Sequence, residues 1–135
     1  MTEARRKSIF ITGAASGMGL ATALLFAKRG WFVGAYDVNR AALDTLAAEI
    51  GAEGNISAAL DVTDPEAFAA AFTTFSEATG GTLDLMFNNA GIAAGGLLDE
   101  QPWDELKRII DINLYGVIIG SRLVIPLLRA TPRSL

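Results

Sequence analysis

Short apolar runs alternate with longer amphipathic segments along most of the chain. A short apolar or β-branched run bounded by turn residues predicts a buried strand, whereas apolar residues recurring every three to four positions predict a helix. The predicted strands are residues 8–12, 32–36, 56–60 and 83–87. The predicted helices are residues 17–29, 40–50 and 65–79, followed by a helical segment from 102 to about 130.

Cap residues and glycines mark the ends of the first three predicted helices. Asn39 and the pair Asp64-Pro65 supply starts for the second and third helices. A glycine follows each helix, at Gly30, Gly51 and Gly80. The first helix carries apolar residues at Met18, Ala21, Leu25 and Ala27. The core-facing residues of the second helix are expected to be Leu43, Leu46, Ala47 and Ile50.

The last helical segment contains two residues that interrupt its pattern. Asn113 breaks the apolar run and predicts a joint between a short helix and a long one. Pro126 lies inside the second of these helices and is expected to bend it. Strict alternation of strand and helix before this segment predicts right-handed crossovers and a parallel sheet with helices on both faces. The fold class is therefore α/β.

Composition narrows the classes of function. The 135 residues are 51% apolar and 19% charged, which excludes disorder and predicts that some apolar surface meets another chain. The net charge of −4 argues against nucleic-acid binding. The absence of cysteine and histidine removes disulfides, thiolate chemistry, zinc sites and histidine acid–base catalysis, so no metal is expected. No signal peptide or membrane-length apolar run is predicted, which favours the cytoplasm.

A glycine-rich turn between the first strand and the first helix is the main chemical signal. Gly13, Gly17 and Gly19 would let backbone N–H groups and the helix N-terminus approach a pyrophosphate. Asp37 ends the second strand, where a carboxylate can accept hydrogen bonds from an adenosine ribose. The pattern thus predicts a dinucleotide site, with a tight turn that binds no ligand as the alternative.

Three motifs in order resemble the short-chain dehydrogenase/reductase family over residues 8–128. They are the Thr12–Gly19 turn, Asn88-Asn89-Ala90-Gly91 after the fourth strand, and Ile112-Asn113-Leu114-Tyr115-Gly116. The resemblance implies a Rossmann-type, three-layer α/β/α sheet and NAD as cofactor. It assigns the pyrophosphate to Gly13, Ser16, Gly17, Met18 and Gly19, and the choice of NAD(H) over NADP(H) to Asp37.

The same resemblance assigns the remaining site residues. It places adenine beside Asp61 and Val62, and the nicotinamide-side ribose beside Asn89, Ala90 and Gly91. Asn113 would hold a water in a proton relay to the catalytic lysine.

Each assignment has a structural alternative. Asp37 could be a solvated strand end, Asp61 a turn cap, Asn89 a tie between strands and Asn113 an ordinary helix cap. A carboxylate at Asp37 would repel a 2′-phosphate, which supports NAD(H) independently of the resemblance, unless Arg40 folds back towards it.

The family's acid–base pair is not found in this sequence. That pair is a tyrosine followed four positions later by a lysine, whose charge lowers the phenol pKa, with a serine on the next strand. The two tyrosines, Tyr36 and Tyr115, are followed at that spacing by Arg40 and Ile119. We therefore expect a single partial NAD(P)-binding domain over residues 1–135, ended before the fifth strand by truncation, frameshift or proteolysis.

The expected function is that of an NAD(H)-dependent oxidoreductase, acting on a small alcohol or ketone only in a full-length form. The 135-residue chain alone is expected to be inactive. The alternatives are a non-catalytic module that binds a nucleotide or a partner, and a self-associating fragment with no ligand.

Two apolar surfaces predict self-association. The fourth strand is expected to have an unpaired outer edge, which templates association. In the helix of residues 114–128, apolar residues occupy nearly every side, as expected of a helix that is either buried on all sides or packed against another chain. A homo-oligomer through residues 113–130 is expected, which charge at Ile118 and Val124 should dissociate. The alternative is a chain that collapses onto its own exposed surface and remains monomeric.

Overall fold

The sheet is parallel and has four strands. The computed structural model describes residues 4–133. Its strands are β1 (Ser8–Thr12), β2 (Phe32–Asp37), β3 (Asn55–Ala59) and β4 (Leu85–Phe87), in the spatial order β3-β2-β1-β4. All three neighbouring pairs are parallel. The helices are α1 (Gly17–Lys28), α2 (Arg40–Ile50), α3 (Pro65–Thr79), α4 (Trp103–Ile110) and α5 (Gly116–Ala130).

Helices cover both faces of the sheet because strand residues alternate between two apolar clusters. Phe10 and Tyr36 project to one face, where they pack with α3 and α5 residues that include Phe68, Phe72 and Ile119. Neighbouring strand residues project to the other face and pack with α1 and α2; they are Ile9, Ile11, Val33 and Ala35. The predicted three-layer, Rossmann-like α/β fold is confirmed.

The predicted helix starts of α2 and α3 are confirmed by their caps. Asn39 Oδ1 accepts from the Ala42 N–H at 3.1 Å, and Asp64 Oδ1 accepts from the N–H groups of Glu66 and Ala67. At the end of α3, Gly80 adopts the left-handed conformation, with a φ of 67°. Leu43 and Leu46 of α2 are buried as predicted.

The buried side of α1 differs from its predicted apolar period. Met18 and Leu25 are 75% and 44% exposed, whereas Gly19 and Ala23 are buried. Gly19 packs so closely against the Gly13 carbonyl that a Cβ would lie 2.1 Å from its oxygen, so only glycine fits here. Close packing of this glycine therefore sets the rotation of α1.

Two predicted strands differ from the observed ones. β3 begins and ends one residue earlier than predicted, so that Leu60 follows it. β4 begins at Leu85, because the Leu83 N–H donates to Thr131 Oγ1 and the Asp84 carboxylate accepts from the Ser8 N–H. As predicted, β1 lies between β2 and β4, and no strand within residues 4–133 pairs with the outer edge of β4.

The last helical segment is continuous from Trp103 to Ala130. The predicted joint at Asn113 is a π-helical segment, Asp111–Tyr115, which links α4 to α5 without a break, and α5 continues through Pro126. These 28 residues have a window of mean hydropathy 1.5 and could cross a membrane by length and composition alone. The expectation that no apolar run approaches this length was therefore wrong. Ile119 and Val124 of this helix nevertheless belong to the core.

Candidate cofactor site

A cleft of about 770 Å³ lies where the strands end at their carboxyl side. This edge of a parallel sheet is where α/β folds bind ligands. Nine predicted site residues line the cleft: Gly13, Ser16, Met18, Asp37, Asp61, Val62, Asn89, Ala90 and Gly91. Gly17, Gly19 and Asn113 are not part of its lining. The structure thus brings most of the predicted set together.

The glycine-rich turn is closely packed at two of its glycines and open at the third. Gly13 has a φ of +67°, and a Cβ there would lie 2.9 Å from Ala90 Cα. A Cβ at Gly19 would strike the Gly13 carbonyl, whereas one at Gly17 would meet nothing within 4 Å. Gly17 instead has a φ of +55°, which favours glycine. Close packing therefore requires glycine at positions 13 and 19, whereas backbone conformation favours it at position 17.

Ser16 immediately precedes α1, and its side chain does not cap the helix. Its backbone is extended, and its side chain makes no hydrogen bond to the first turn of α1. The first N–H groups of any α-helix lack helical partners, and the helix dipole favours an anion there. The first turn of α1 contains no acidic residue. Uncapped N–H groups and an exposed Gly17 fit a pyrophosphate.

The carboxylate of Asp37 accepts hydrogen bonds from two backbone N–H groups. Its Oδ2 accepts from the Ala15 N–H at 3.0 Å, and its Oδ1 accepts from the Asn39 N–H at 3.0 Å. The carboxylate therefore connects the glycine-rich turn to the start of α2 while it lines the cleft. Arg40 begins α2 and is not part of that lining.

Asp61 caps a turn and lines the cleft as well. Its Oδ1 accepts from Thr63 Oγ1 at 2.7 Å and from the Thr63 N–H at 2.9 Å. These hydrogen bonds, with a smaller electrostatic contribution from Arg108, lower the pKa of Asp61 below its ordinary value. Val62 beside it is buried, and a Cβ at Gly116 would lie 2.7 Å from its Cγ2.

Asn89 ties β4 to β1. Its Nδ2 donates to the carbonyl oxygens of Thr12 and Gly13, both at 3.1 Å. The N–H groups of Asn89 and Ala90 both donate to Thr12 Oγ1 at 3.0 Å. The Asn89 side-chain amide thus donates to the carbonyl of the last residue of β1 and to that of Gly13 in the glycine-rich turn, so this residue shapes the cleft through the backbone.

One wall of the cleft was not predicted. Four charged residues of the α4 region line it: Asp104, Lys107, Arg108 and Asp111. Their spacing of three, four and seven positions places them on one face of a helix, and this signal is present in the sequence. Among residues 4–133, no group of three or more acidic side chains is arranged to hold a metal ion.

A family model described as short chain dehydrogenase matches residues 7–134. The chain belongs to the short-chain dehydrogenase/reductase family. One relative, from Mycobacterium tuberculosis and named "Probable oxidoreductase EphD", is 40% identical over 116 residues, covering 84% of this chain and 19% of that protein.

Two solved structures of family members resemble this fold closely. The 3-ketoacyl-(acyl-carrier-protein) reductase of Brucella melitensis complexed with NADH is 32% identical with a TM-score of 0.86, over 92% of this chain and 51% of that one. A short-chain dehydrogenase/reductase of Burkholderia phymatum in complex with NAD is 34% identical with a TM-score of 0.87, over 96% and 47%. The chain spans about half the length of four further curated relatives that it matches.

Proposed function

We propose that the chain binds NAD(H) in this cleft as the cofactor-binding half of an oxidoreductase that interconverts alcohols and ketones. The observation that carries the proposal is the meeting of the uncapped start of α1 and the carboxylate of Asp37 in one cleft. The complexes of the two family members with NADH and NAD support the choice of a nicotinamide dinucleotide.

The residues have separate roles in this proposal. The turn at Gly13, Ser16, Gly17, Met18 and Gly19 holds the pyrophosphate, and Asp37 accepts from the adenosine ribose. Asp61 and Val62 flank the adenine, while Asn89, Ala90 and Gly91 line the side of the nicotinamide ribose. Bound NAD(H) supplies the hydride acceptor or donor, and the chain's own residues orient it.

We further propose that these 135 residues do not transfer hydride by themselves. Tyr36 is buried in the core, and burial raises the pKa of its phenol. Acid–base catalysis at neutral pH requires a lowered phenol pKa instead. Tyr115 is half-exposed and is followed four positions later by Ile119 rather than lysine. The relay role of Asn113 remains a prediction.

The cofactor preference is tested by titration calorimetry with NAD⁺ and NADP⁺. NAD⁺ should bind weakly but more tightly than NADP⁺, and Asp37→Ala should narrow the difference. Because Asp37 also holds the Ala15 N–H, the ratio of the two affinities is the readout, rather than either affinity alone. Asp44→Ala, an exposed carboxylate on α2, is the matched control. Equal binding, or tighter NADP⁺, would contradict the proposal.

A second candidate function is self-association. The continuous helix exposes large apolar side chains at Trp103, Ile110, Leu114, Ile118 and Ile125. Such a surface is typical of an interface, and the outer edge of β4 offers another. We propose a homo-oligomer through residues 113–130, and a cytoplasmic protein.

A further inference from the structure

The charged wall of the cleft contains one cation without a hydrogen-bonding partner. Two basic residues line the cleft, Lys107 and Arg108. Lys107 forms an ion pair with Asp111, one helical turn further on. Arg108 is exposed, and its guanidinium donates no hydrogen bond within residues 4–133. Its five donors and planar surface therefore remain available to a ligand.

Arg108 and Asp61 line the same cleft. The guanidinium of Arg108 helps to lower the pKa of Asp61, so the two opposite charges influence each other. Beside them lie Val62, which is buried against Gly116, and Ile112, which is half-buried. This corner therefore combines apolar side chains with one cation, a surface that suits a flat aromatic ring.

We propose that Arg108 binds the adenine ring of NAD(H), its guanidinium covering one face of the base that the proposed function already places beside Asp61 and Val62. This inference rests on the proposed function, which it deepens by naming a specificity-determining residue for the purine. An arginine stacks on an aromatic face through its planar, delocalised charge, which a lysine ammonium cannot reproduce.

A phosphate is the other ligand that an unpaired arginine could take. The surroundings favour the base, because the four carboxylates that line the cleft (Asp37, Asp61, Asp104 and Asp111) outnumber its two cations, Lys107 and Arg108, and would oppose a dianion. Val62 and Ile112 offer an aromatic ring apolar contact, which they cannot offer a phosphate.

The test is titration calorimetry of AMP, CMP, ribose 5-phosphate, NAD⁺ and NADP⁺ against four proteins: the wild type, Arg108→Ala, Arg108→Lys and Arg122→Ala. Arg122 is exposed on α5 and is not part of the cleft lining, so its variant controls for the loss of one positive charge. Arg108→Ala should weaken AMP and NAD⁺ by a similar factor of about three to ten. It should also reduce the preference for AMP over CMP, and Arg108→Lys should not restore that preference.

The contrary outcomes are distinct. AMP binding by Arg108→Ala at wild-type affinity would overturn the role of Arg108, while leaving the proposed function intact if the wild type binds NAD⁺. Equal losses of AMP and ribose 5-phosphate, or a loss confined to NADP⁺, would show that Arg108 binds a phosphate and would also overturn the inference. A wild-type protein that binds neither AMP nor NAD⁺ would overturn both proposals.

Discussion

The side-chain amide of Asn113 forms hydrogen bonds with both the backbone N–H and the backbone carbonyl of Ile92. The Oδ1 of Asn113 accepts from the Ile92 N–H at 2.8 Å, and its Nδ2 donates to the Ile92 carbonyl at 2.7 Å. Asn113 lies in the π-helical segment, whereas Ile92 lies in the loop after β4 and lines the cleft. The pair therefore fixes the position of this loop relative to the long helix.

Asn113→Ala should release the loop after β4. Loss of two hydrogen bonds should lower the free energy of unfolding by about 1–2 kcal/mol, because each net hydrogen bond is worth about 1 kcal/mol. Amide hydrogen exchange at Ile92 should accelerate, whereas exchange in β2 should follow only the global stability. Asn88→Ala, which removes a single 3.3 Å contact with Ser121, is the control. Unchanged exchange at Ile92 would show that the loop is held by other contacts.

Asp84 should make stability depend on pH. Its carboxylate accepts two hydrogen bonds from Arg5, both at 2.7 Å, and one from the Ser8 N–H. Burial opposes its ionisation, but these hydrogen bonds outweigh burial and lower the pKa of Asp84 below its ordinary value. The ionised form is therefore favoured in the folded state. The stabilisation that ionised Asp84 gives the folded state is fully present above about pH 4, the pKa of an aspartate in the unfolded chain. It is lost as the pH falls through the lower pKa of Asp84 in the folded state.

Asp84→Asn should lower the free energy of unfolding by about 2 kcal/mol at pH 7, because it removes charge-assisted hydrogen bonds. Urea titrations at several pH values should show this difference shrinking as the pH falls below about 4. Glu77→Gln, an exposed carboxylate on α3, should cost little at any pH. A constant difference across the pH range would contradict the ion-pair explanation.

Tyr36→Phe should stabilise the protein. The Tyr36 ring stacks on Phe10 with centroids 4.1 Å apart, and its buried hydroxyl has no hydrogen-bond partner within residues 4–133. A buried hydroxyl without a partner loses its hydration without compensation. The variant should raise the free energy of unfolding by about 1 kcal/mol. Tyr115→Phe, at a half-exposed position, should leave it nearly unchanged. Destabilisation by Tyr36→Phe would mean that the hydroxyl has a partner, such as a buried water.

The sequence predicts those features of the fold that depend on local pattern. Asn39 and Asp64 cap helices as expected, because capping involves only residues two or three positions away. The alternation of strands and helices also predicts the three layers, because each apolar strand needs cover on both faces.

Features that depend on distant contacts could not be predicted in this way. The rotation of α1 is set by the approach of Gly19 to Gly13, where the absence of a side chain, rather than an apolar one, decides which face is buried. The start of β4 depends on Thr131, 48 positions away along the chain. For Asp61 and Asn89 the sequence offers a structural role and a ligand-binding role, and the structure is compatible with both. Asp61 caps a turn and Asn89 ties two strands, yet both residues also line the cleft.

Self-association through the long helix should be sensitive to charge at Ile118. Ile118 is 52% exposed on α5, so Ile118→Arg places a charge on the proposed interface without disturbing the core. Val124 is only 3% exposed and belongs to the core, so charge there should unfold the protein rather than dissociate it. The structure therefore separates two positions that the sequence treats alike.

Sedimentation equilibrium at micromolar concentration provides the measurement. The wild type should sediment as an oligomer and Ile118→Arg as a single chain with an unchanged circular dichroism spectrum. Arg122→Glu changes charge at an exposed position that is already polar and should leave the oligomer largely intact. A wild-type species of one chain mass would exclude self-association. An Ile118→Arg variant that remains oligomeric would exclude this helix face as the interface, because a charge buried there without a partner costs several kcal/mol, on the order of the cost of breaking a buried ion pair.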